Sequence, residues 1–385
     1  MSNYQPLSVE FKSGAGAWLT DVDGQRYLDA LSGIAVCGLG HAHPAIQEAI
    51  ADQAAHLIHT SNIYRIPLQE NLAEKLIEHS GMDKVFFGNS GAEANEAAIK
   101  LSRLHASNKG VSNPVIVTME KSFHGRTMAT LTATGNEKVK KGFAPLVEGF
   151  KHIPYNNLDA LNEIAETTPN IVAVMLEPIL GEGGIVIPDD GYLQAIRAFC
   201  DEHNCLMILD EIQTGMCRTG QWFAYQHEDI KPDIMTVAKA LGNGVPIGAC
   251  LARGVAADLF QPGSHGSTFD GNPLAARAAL AVINVLEEQK LEQRAKELGN
   301  RILDGFKQSL SAIDGIKEIR GKGLMLAIEL EKDCTDLVGL ALAENLLINV
   351  TAGSVIRLLP PLIMTDTEAD EVVSKLGELL IKYLS

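Results

Sequence analysis

Three short segments hold side chains that can do chemistry, and each follows an apolar run of strand-forming residues. The segment Ala238-Lys239-Ala240-Leu241-Gly242-Asn243-Gly244 puts a lysine just past the run Ile234 to Val237. An ammonium at the edge of an apolar core is costly unless paired or neutralised, and desolvation lowers its pKa toward the range where the amine is nucleophilic. Lys239 therefore reads either as a lysine able to condense with an aldehyde or as an ordinary strand-end lysine in water. The segment Asp210-Glu211-Ile212-Gln213-Thr214-Gly215 follows Leu206-Met207-Ile208-Leu209. Ligands gather at the carboxyl ends of strands in open α/β sheets, so Asp210 is placed for function. Buried there it needs a cationic partner, for which a protonated pyridine nitrogen is one candidate, and capping of the following turn is the other reading.

The third segment, Gly88-Asn89-Ser90-Gly91-Ala92-Glu93-Ala94-Asn95-Glu96, lies between a strand and a helix. A turn of small residues at a helix N-terminus presents free N–H groups and the positive end of the dipole, which suits a phosphate as well as it suits close packing. The spacing is neither GxxxxGK[ST] nor GxGxxG, which disfavours a nucleotide.

Segments of this kind need strands to carry them. Lys84-Val85-Phe86-Phe87, Val115-Ile116-Val117-Thr118, Ile171 to Leu176, Cys205 to Leu209 and Ile234 to Val237 are short, largely β-branched runs alternating with helical stretches. The fold class this predicts is α/β, a mostly parallel buried sheet with helices on its faces. Before it come a hairpin over Trp18 to Leu28, turning at Asp23-Gly24, and a helix from Pro44 to Ile58. After it, Asn272-Pro273 starts a helix through Leu274 to Glu288. The strand-like runs Ile316 to Leu330, Leu346 to Val350 and Val355 to Leu359 then lead to a Thr365-x-x-Glu368 capping box and a last helix ending near Leu384. The organisation expected is an N-terminal segment, 1–32, packing with a small domain, a large domain over 33–290, and a smaller α+β domain over 291–385.

Composition bounds the function. Hydrophobic residues at 46% and charged residues at 21% describe an ordinary globular chain. The 48 acidic against 32 basic side chains, a formal charge of −16, would repel a phosphate backbone, so no nucleic-acid partner is expected. The six cysteines form no CxxC pair and read as free thiols in a reducing cytosol. Met1 to Glu10 lacks a leader pattern and no run is long and apolar enough to span a bilayer, so a cytoplasmic location without a membrane partner is expected. His41-x-His43 lacks a third ligand nearby, and no metal is expected.

The motifs together resemble the class III, subgroup II aminotransferases of pyridoxal 5′-phosphate (PLP) fold type I, most closely the acetylornithine aminotransferases of bacterial arginine synthesis. The resemblance runs nearly end to end. It is carried by Gly40-His41-x-His43-Pro44, Asn89-Ser90-Gly91-Ala92-Glu93-Ala94-Asn95, Phe123-His124-Gly125-Arg126-Thr127 and Glu177-Pro178-x-x-Gly181-Glu182-Gly183-Gly184. Leu209-Asp210-Glu211-x-Gln213-Thr214-Gly215, Lys239, Ser267-Thr268-Phe269 with Gly271-Asn272-Pro273-Leu274, and Arg357-Leu358-Leu359-Pro360-Pro361 complete it. Phe269-Asp270-Gly271 stands where Phe-Gly-Gly is frequent, a change that aspartate's tolerance of left-handed backbone would accommodate.

The resemblance implies a role for each matching residue. Lys239 would carry PLP as a Schiff base and move the proton; Asp210 would pair with the ring nitrogen. Phe123 would lie against the ring, Gln213 would bond its phenolic oxygen, and Ser90, Gly91 and Ala92 would hold its phosphate. Thr268 would reach the phosphate in a neighbouring subunit, which makes a homodimer with shared active sites the expected unit. Arg126, with Ser267 beside it, would take the α-carboxylate of the donor. Arg357 would take that of glutamate or 2-oxoglutarate, with Glu182 neutralising it otherwise. The activity implied is transfer of the δ-amino group of N2-acetylornithine to 2-oxoglutarate with ping-pong kinetics. Succinylornithine, N-succinyl-diaminopimelate, ornithine and 4-aminobutyrate are the alternative donors. Ile34, where ornithine aminotransferases carry a gateway tyrosine, favours an acylated donor.

Overall fold

Seven strands form the central sheet, in the order Lys84–Gly88, Gly248–Ala252, Ile234–Val237, Leu206–Asp210, Ile171–Leu176, Val115–Met119, Phe150–Ile153. The computed structural model describes every residue, Met1–Ser385. Gly248–Ala252 runs antiparallel to both neighbours, and all other pairs are parallel. Val115–Met119, Leu206–Asp210 and Ile234–Val237 are buried along their whole length, because helices cover both faces of the sheet. Two strands lie outside the sequence expectation. Phe150–Ile153 is a partly exposed edge strand of sequence FKHI, and Gly248–Ala252 (GACLA) is built mostly of small residues without β-branching.

This topology gathers the chemistry on one edge. Asp210 ends its strand and is in register with Thr236 of the next, whose carboxyl end leads into Lys239. Lys84–Gly88, parallel to these strands through the intervening antiparallel one, delivers the turn at Ser90 to the same side.

The helix Pro273–Glu288 starts with its Asn272 side chain accepting from Ala275 N–H, and Lys290 in left-handed geometry turns the chain into the helix Leu291–Leu310. That helix buries Leu291, Ala295, Leu298, Ile302, Phe306 and Leu310, spaced three or four apart. It lies with the final helix Asp366–Leu384 over a four-stranded antiparallel sheet ordered Ile316–Lys322, Met325–Leu330, Val355–Leu358, Asn349–Thr351. Thr365 and Glu368 close the capping box of the last helix.

The N-terminal strands Phe11–Ala15, Trp18–Asp21 and Arg26–Asp29 form a meander that takes Leu346–Leu347 as a fourth, parallel strand. Trp18 Nε1 donates to Glu368 Oε1 at 2.7 Å, a second tie between the two ends of the chain. Immediately after the meander, Ser32, Gly33, Ile34 and Ala35 have φ of 47°, 64°, 64° and 60°. A left-handed turn costs roughly 1–2 kcal/mol for each residue bearing a Cβ, so strong local contacts must hold it.

Candidate active site

The three segments line one cleft of about 350 Å³. Of the residues singled out from the sequence, Ser90, Gly91, Ala92, Phe123, Arg126, Glu182, Asp210, Gln213 and Lys239 lie on its walls. Arg357 reaches it through Glu182. Ser267 and Thr268 stand on an exposed loop outside it, although Ser267 Oγ accepts from Asn89 Nδ2 at 3.0 Å, beside the Ser90 turn.

Lys239 starts a short 3₁₀ turn and holds φ at 43°, an uncommon backbone state for a long side chain. Burial pushes its pKa down; Glu182 pulls it back up, Arg357 pushes it down, and Glu177 and Asp210 oppose the fall. A lysine in that balance holds its proton less firmly than one in water and is the better nucleophile.

Asp210 is 3% exposed. Its Oδ2 accepts from His124 Nδ1 at 2.7 Å and from Asn95 Nδ2 at 2.8 Å, while Oδ1 accepts the Ile212 N–H at 3.1 Å. Asn95 is itself fixed, donating to His124 O and accepting from Thr236 Oγ1, both at 2.8 Å. The carboxylate is thus oriented from three sides and its capping of the next turn is real. Two orphans remain beside it: His124 Nε2 and Gln213 Oε1 are buried without a hydrogen-bond partner.

The anion turn is a helix N-terminus. Ser90 is the N-cap of Gly91–Asn108 and accepts the Glu93 N–H at 3.2 Å. The amides of Gly91 and Ala92, in the first turn, have no intrahelical acceptor and both residues line the cleft. Gly248, on the adjacent strand, lies so close beneath that a Cβ there would sit 2.2 Å from Ser90 O.

Around the rim, the Arg126 guanidinium stands 5.4 Å from the centre of the Phe123 ring and is exposed. Arg357 is 1% exposed; its Nη1 pairs with Glu182 Oε1 at 2.6 Å and its Nη2 donates to Asn349 Oδ1 at 2.8 Å. Glu177 is buried and accepts the N–H of Phe123 at 3.1 Å and of Gly181 at 3.2 Å, so it ties the loop bearing Phe123 to the one bearing Glu182. Burial pushes its pKa up to about 7, against the pull of His124.

Three points differ from the sequence reading. Asp270 does not adopt left-handed backbone; the left-handed residue is Gly271, at φ 59°. Asp270 instead accepts the Ser267 N–H at 3.1 Å and Asn62 Nδ2 at 2.6 Å, so its carboxylate braces the loop that carries Thr268. Ile34 packs in an apolar cluster, and Val36 is the residue of that segment on the cleft wall. His124, Asn95 and Glu177 join the site beyond the sequence expectation; each is a buried polar side chain, and burial is the signal a single sequence does not reveal.

The cleft fits PLP. It has an anion turn of unpaired amides, an apolar ring platform, a fixed buried carboxylate for a ring cation, unpartnered polar atoms beside it, and a desolvated amine. No group of three or more His, Cys, Asp or Glu side chains is placed to hold a metal ion, and no helix is long and apolar enough to cross a membrane.

Fold and site together define a PLP-dependent transaminase of fold type I. The family model described as aminotransferase class-III matches residues 1–380, and the chain belongs to that family. It is similar to the acetylornithine aminotransferase of Nitrosomonas europaea, 52% identical over 384 residues covering 100% of this chain and 98% of that protein. Acetylornithine aminotransferase 1 of Bordetella bronchiseptica is 50% identical over 99% of this chain and 97% of its own length. Among solved structures, the ornithine aminotransferase of Toxoplasma gondii superposes with a TM-score of 0.96 at 35% identity, covering 100% of this chain and 93% of that one. The acetylornithine aminotransferase of Elizabethkingia anophelis gives 0.88 at 37% identity, covering 99% and 96%.

The contact beneath Ser90 makes a direct test. Gly248→Ala should displace the anion turn and weaken PLP retention by roughly 10- to 100-fold, an overpacking cost of about 1–3 kcal/mol. Equilibrium dialysis of PLP against the folded variant measures it, and unchanged retention would show that the turn tolerates the methyl group.

Proposed function

We propose that the protein transfers the δ-amino group of an N2-acylated ornithine, N2-acetyl-L-ornithine first, to 2-oxoglutarate, giving N-acetyl-L-glutamate 5-semialdehyde and L-glutamate. The observation that carries this reading is a pair of guanidinium groups at one cleft: Arg126 exposed at the rim, and Arg357 buried and held by Glu182 at 2.6 Å. A site that accepts two different carboxylated substrates in turn needs one free cation and one that can be masked. A planar guanidinium matches a carboxylate with two parallel hydrogen bonds, which suits both positions. The acetyl group on the donor is supported by the relatives named acetylornithine aminotransferase.

PLP, when bound, supplies an electron sink for the charge that develops on the substrate carbon. In this reading Lys239 would hold the cofactor through Nζ, and its amine, when released, would take up and return the proton at the substrate carbon. Burial lowers its pKa, which makes the amine easier to free for that work. Asp210, oriented by His124 and Asn95, would keep the ring nitrogen protonated. Gln213 would meet the phenolic oxygen, Phe123 would support the ring, and Ser90, Gly91 and Ala92 would hold the phosphate. Arg126 and Ser267 take the donor's α-carboxylate. Glu182 covers Arg357 while the donor is bound and yields it to glutamate or 2-oxoglutarate.

The reading extends to a cytoplasmic homodimer serving arginine biosynthesis, with no nucleic-acid partner. The exposed Thr268 beside Phe269, 58% exposed, with Ile63 at 79% and Tyr64 at 65%, supports a second copy covering that face and completing each site.

A donor panel with 2-oxoglutarate tests the substrate: acetylornithine should lead succinylornithine, ornithine, N-succinyl-diaminopimelate and 4-aminobutyrate in kcat/KM. A lead for free ornithine would replace the proposed donor. Lys239→Ala should lose turnover by roughly 10²–10⁴-fold or more while still retaining PLP noncovalently. Near-native turnover in the purified variant would refute the assignment. Arg126→Lys should lower kcat/KM for acetylornithine by roughly 10- to 100-fold and that for glutamate much less. Equal losses would remove the donor-specific role.

A further inference from the structure

The left-handed turn Ser32–Ala35 leads directly into Val36 on the cleft wall, and backbone of this kind persists only where its surroundings over-determine it, often at functional sites. Its anchors are specific. Asp29 Oδ1 accepts the N–H of Leu31 at 2.9 Å and of Ser32 at 2.8 Å, and Ser32 Oγ donates to Leu359 O at 2.7 Å. Asp29 Oδ2 bonds His41 Nε2 at 2.8 Å. That last contact joins residues 29 and 41, so one ion pair closes the base of the whole segment that contains the turn.

What the segment carries faces the substrate machinery. Val36 lines the cleft. Leu31, Ile34 and Ala35 pack in one apolar cluster with Ile179 and Ile185, which flank Glu182, and with Val355 and Leu359, which flank Arg357. The turn therefore rests on both pieces of chain that make the Glu182–Arg357 pair.

We propose that the Asp29–His41 pair is a positioning latch that sets how closely the Ser32–Ala35 turn packs on the Glu182–Arg357 pair, and so how readily Arg357 is yielded to a dicarboxylate. The inference rests on the proposed exchange of substrates at Arg357. It adds residues that touch neither substrate nor cofactor.

The latch has a pH sign. The Asp29 carboxylate first, and the Cys37 thiol second, raise His41 to about 9 against the opposing effect of burial, and these two are the titratable groups that act on the imidazole. The folded-state value lies above the ordinary one, so the contribution of the pair is complete below about pH 6.5 and is lost as pH rises through about 9.

The experiment uses the full-length, PLP-loaded protein and its Asp29→Asn and His41→Gln variants. KM and kcat for 2-oxoglutarate, glutamate and acetylornithine are measured from about pH 7 to 10, with amide hydrogen exchange over residues 31–38. Asp29→Asn should raise KM for 2-oxoglutarate about three- to tenfold with kcat changed less than about twofold, and should speed exchange of those amides by a similar factor. Wild type should approach the variant's values as pH rises through about 9, while the variant stays flat. His41→Gln leaves the Asp29 acceptors in place and should show the same KM effect even if Asp29→Asn folds poorly. Unchanged KM and exchange in either folded variant, or a uniform fall in kcat for every substrate without a pH-dependent difference, would overturn the latch. If wild type does not use acetylornithine, the donor assignment fails, whereas the latch is still read from glutamate, 2-oxoglutarate and amide exchange.

Discussion

A carboxylate buried as deeply as Asp210 must be surrounded by donors or be lost as a charge, and the centre of this molecule is arranged around that requirement. His124 from the loop after Val115–Met119, Asn95 from the helix Gly91–Asn108 and the Ile212 amide from the turn after Asp210 each donate to it. Thr236, on the strand that leads to Lys239, fixes Asn95 in turn. Through this chain of hydrogen bonds the acid and the amine are held to one frame. A charge so fixed does not reorganise when a ring cation meets it, which is the condition under which electrostatic stabilisation is strongest.

The same low-dielectric floor sorts the other ionisable groups. Glu177, pushed up to about 7 by burial, acts mainly as an acceptor for the amides of Phe123 and Gly181, where a fully exposed carboxylate would be a free charge. Lys239 is moved the other way by the same cause. Glu211 next to Asp210 is also raised to about 7 by burial, yet it faces away into the amides of Ala224 and Tyr225 and braces the loop beyond the strand. Adjacent acids in one motif thus serve opposite sides of the chain, one the cleft and one the scaffold.

Much of this was legible in the sequence because strands buried on both faces write themselves as short apolar runs, and the chemistry follows at their carboxyl ends. Asp210, Lys239 and the Ser90 turn were placed that way. What stayed hidden has particular reasons. Gly248–Ala252 is antiparallel and carries no β-branched signature, and its first residue is held to glycine because Ser90 O lies where a Cβ would stand. The role of His124 depends on a partner 86 residues away, and that of Asn95 on one 115 away, which local pattern does not encode. Asp270 acts through its side chain, and an Asp-Gly pair does not say which of the two residues takes the left-handed position.

Arg357 comes from the second sheet, so the geometry of the cleft depends on how that sheet is fastened to the first. Arg218, in the loop that follows Asp210, is 1% exposed, and its Nη1 donates to the carbonyls of Leu324 and Pro360, while Leu324 N–H returns a bond to Arg218 O at 2.9 Å. Leu324 sits at the turn between Ile316–Lys322 and Met325–Leu330, and Pro360 follows the strand that carries Arg357. Burial pushes Arg218 down to about 10 and no carboxylate pairs with it; its side chain's hydrogen-bond partners are backbone carbonyls. A guanidinium is suited to that position because it is weakly hydrated and offers several donors in a fixed plane, which an ammonium does not. The loop that begins at Asp210 therefore ends by gripping the strand that brings in Arg357, and the spacing between the two is set by hydrogen bonds to the backbone as well as by apolar packing.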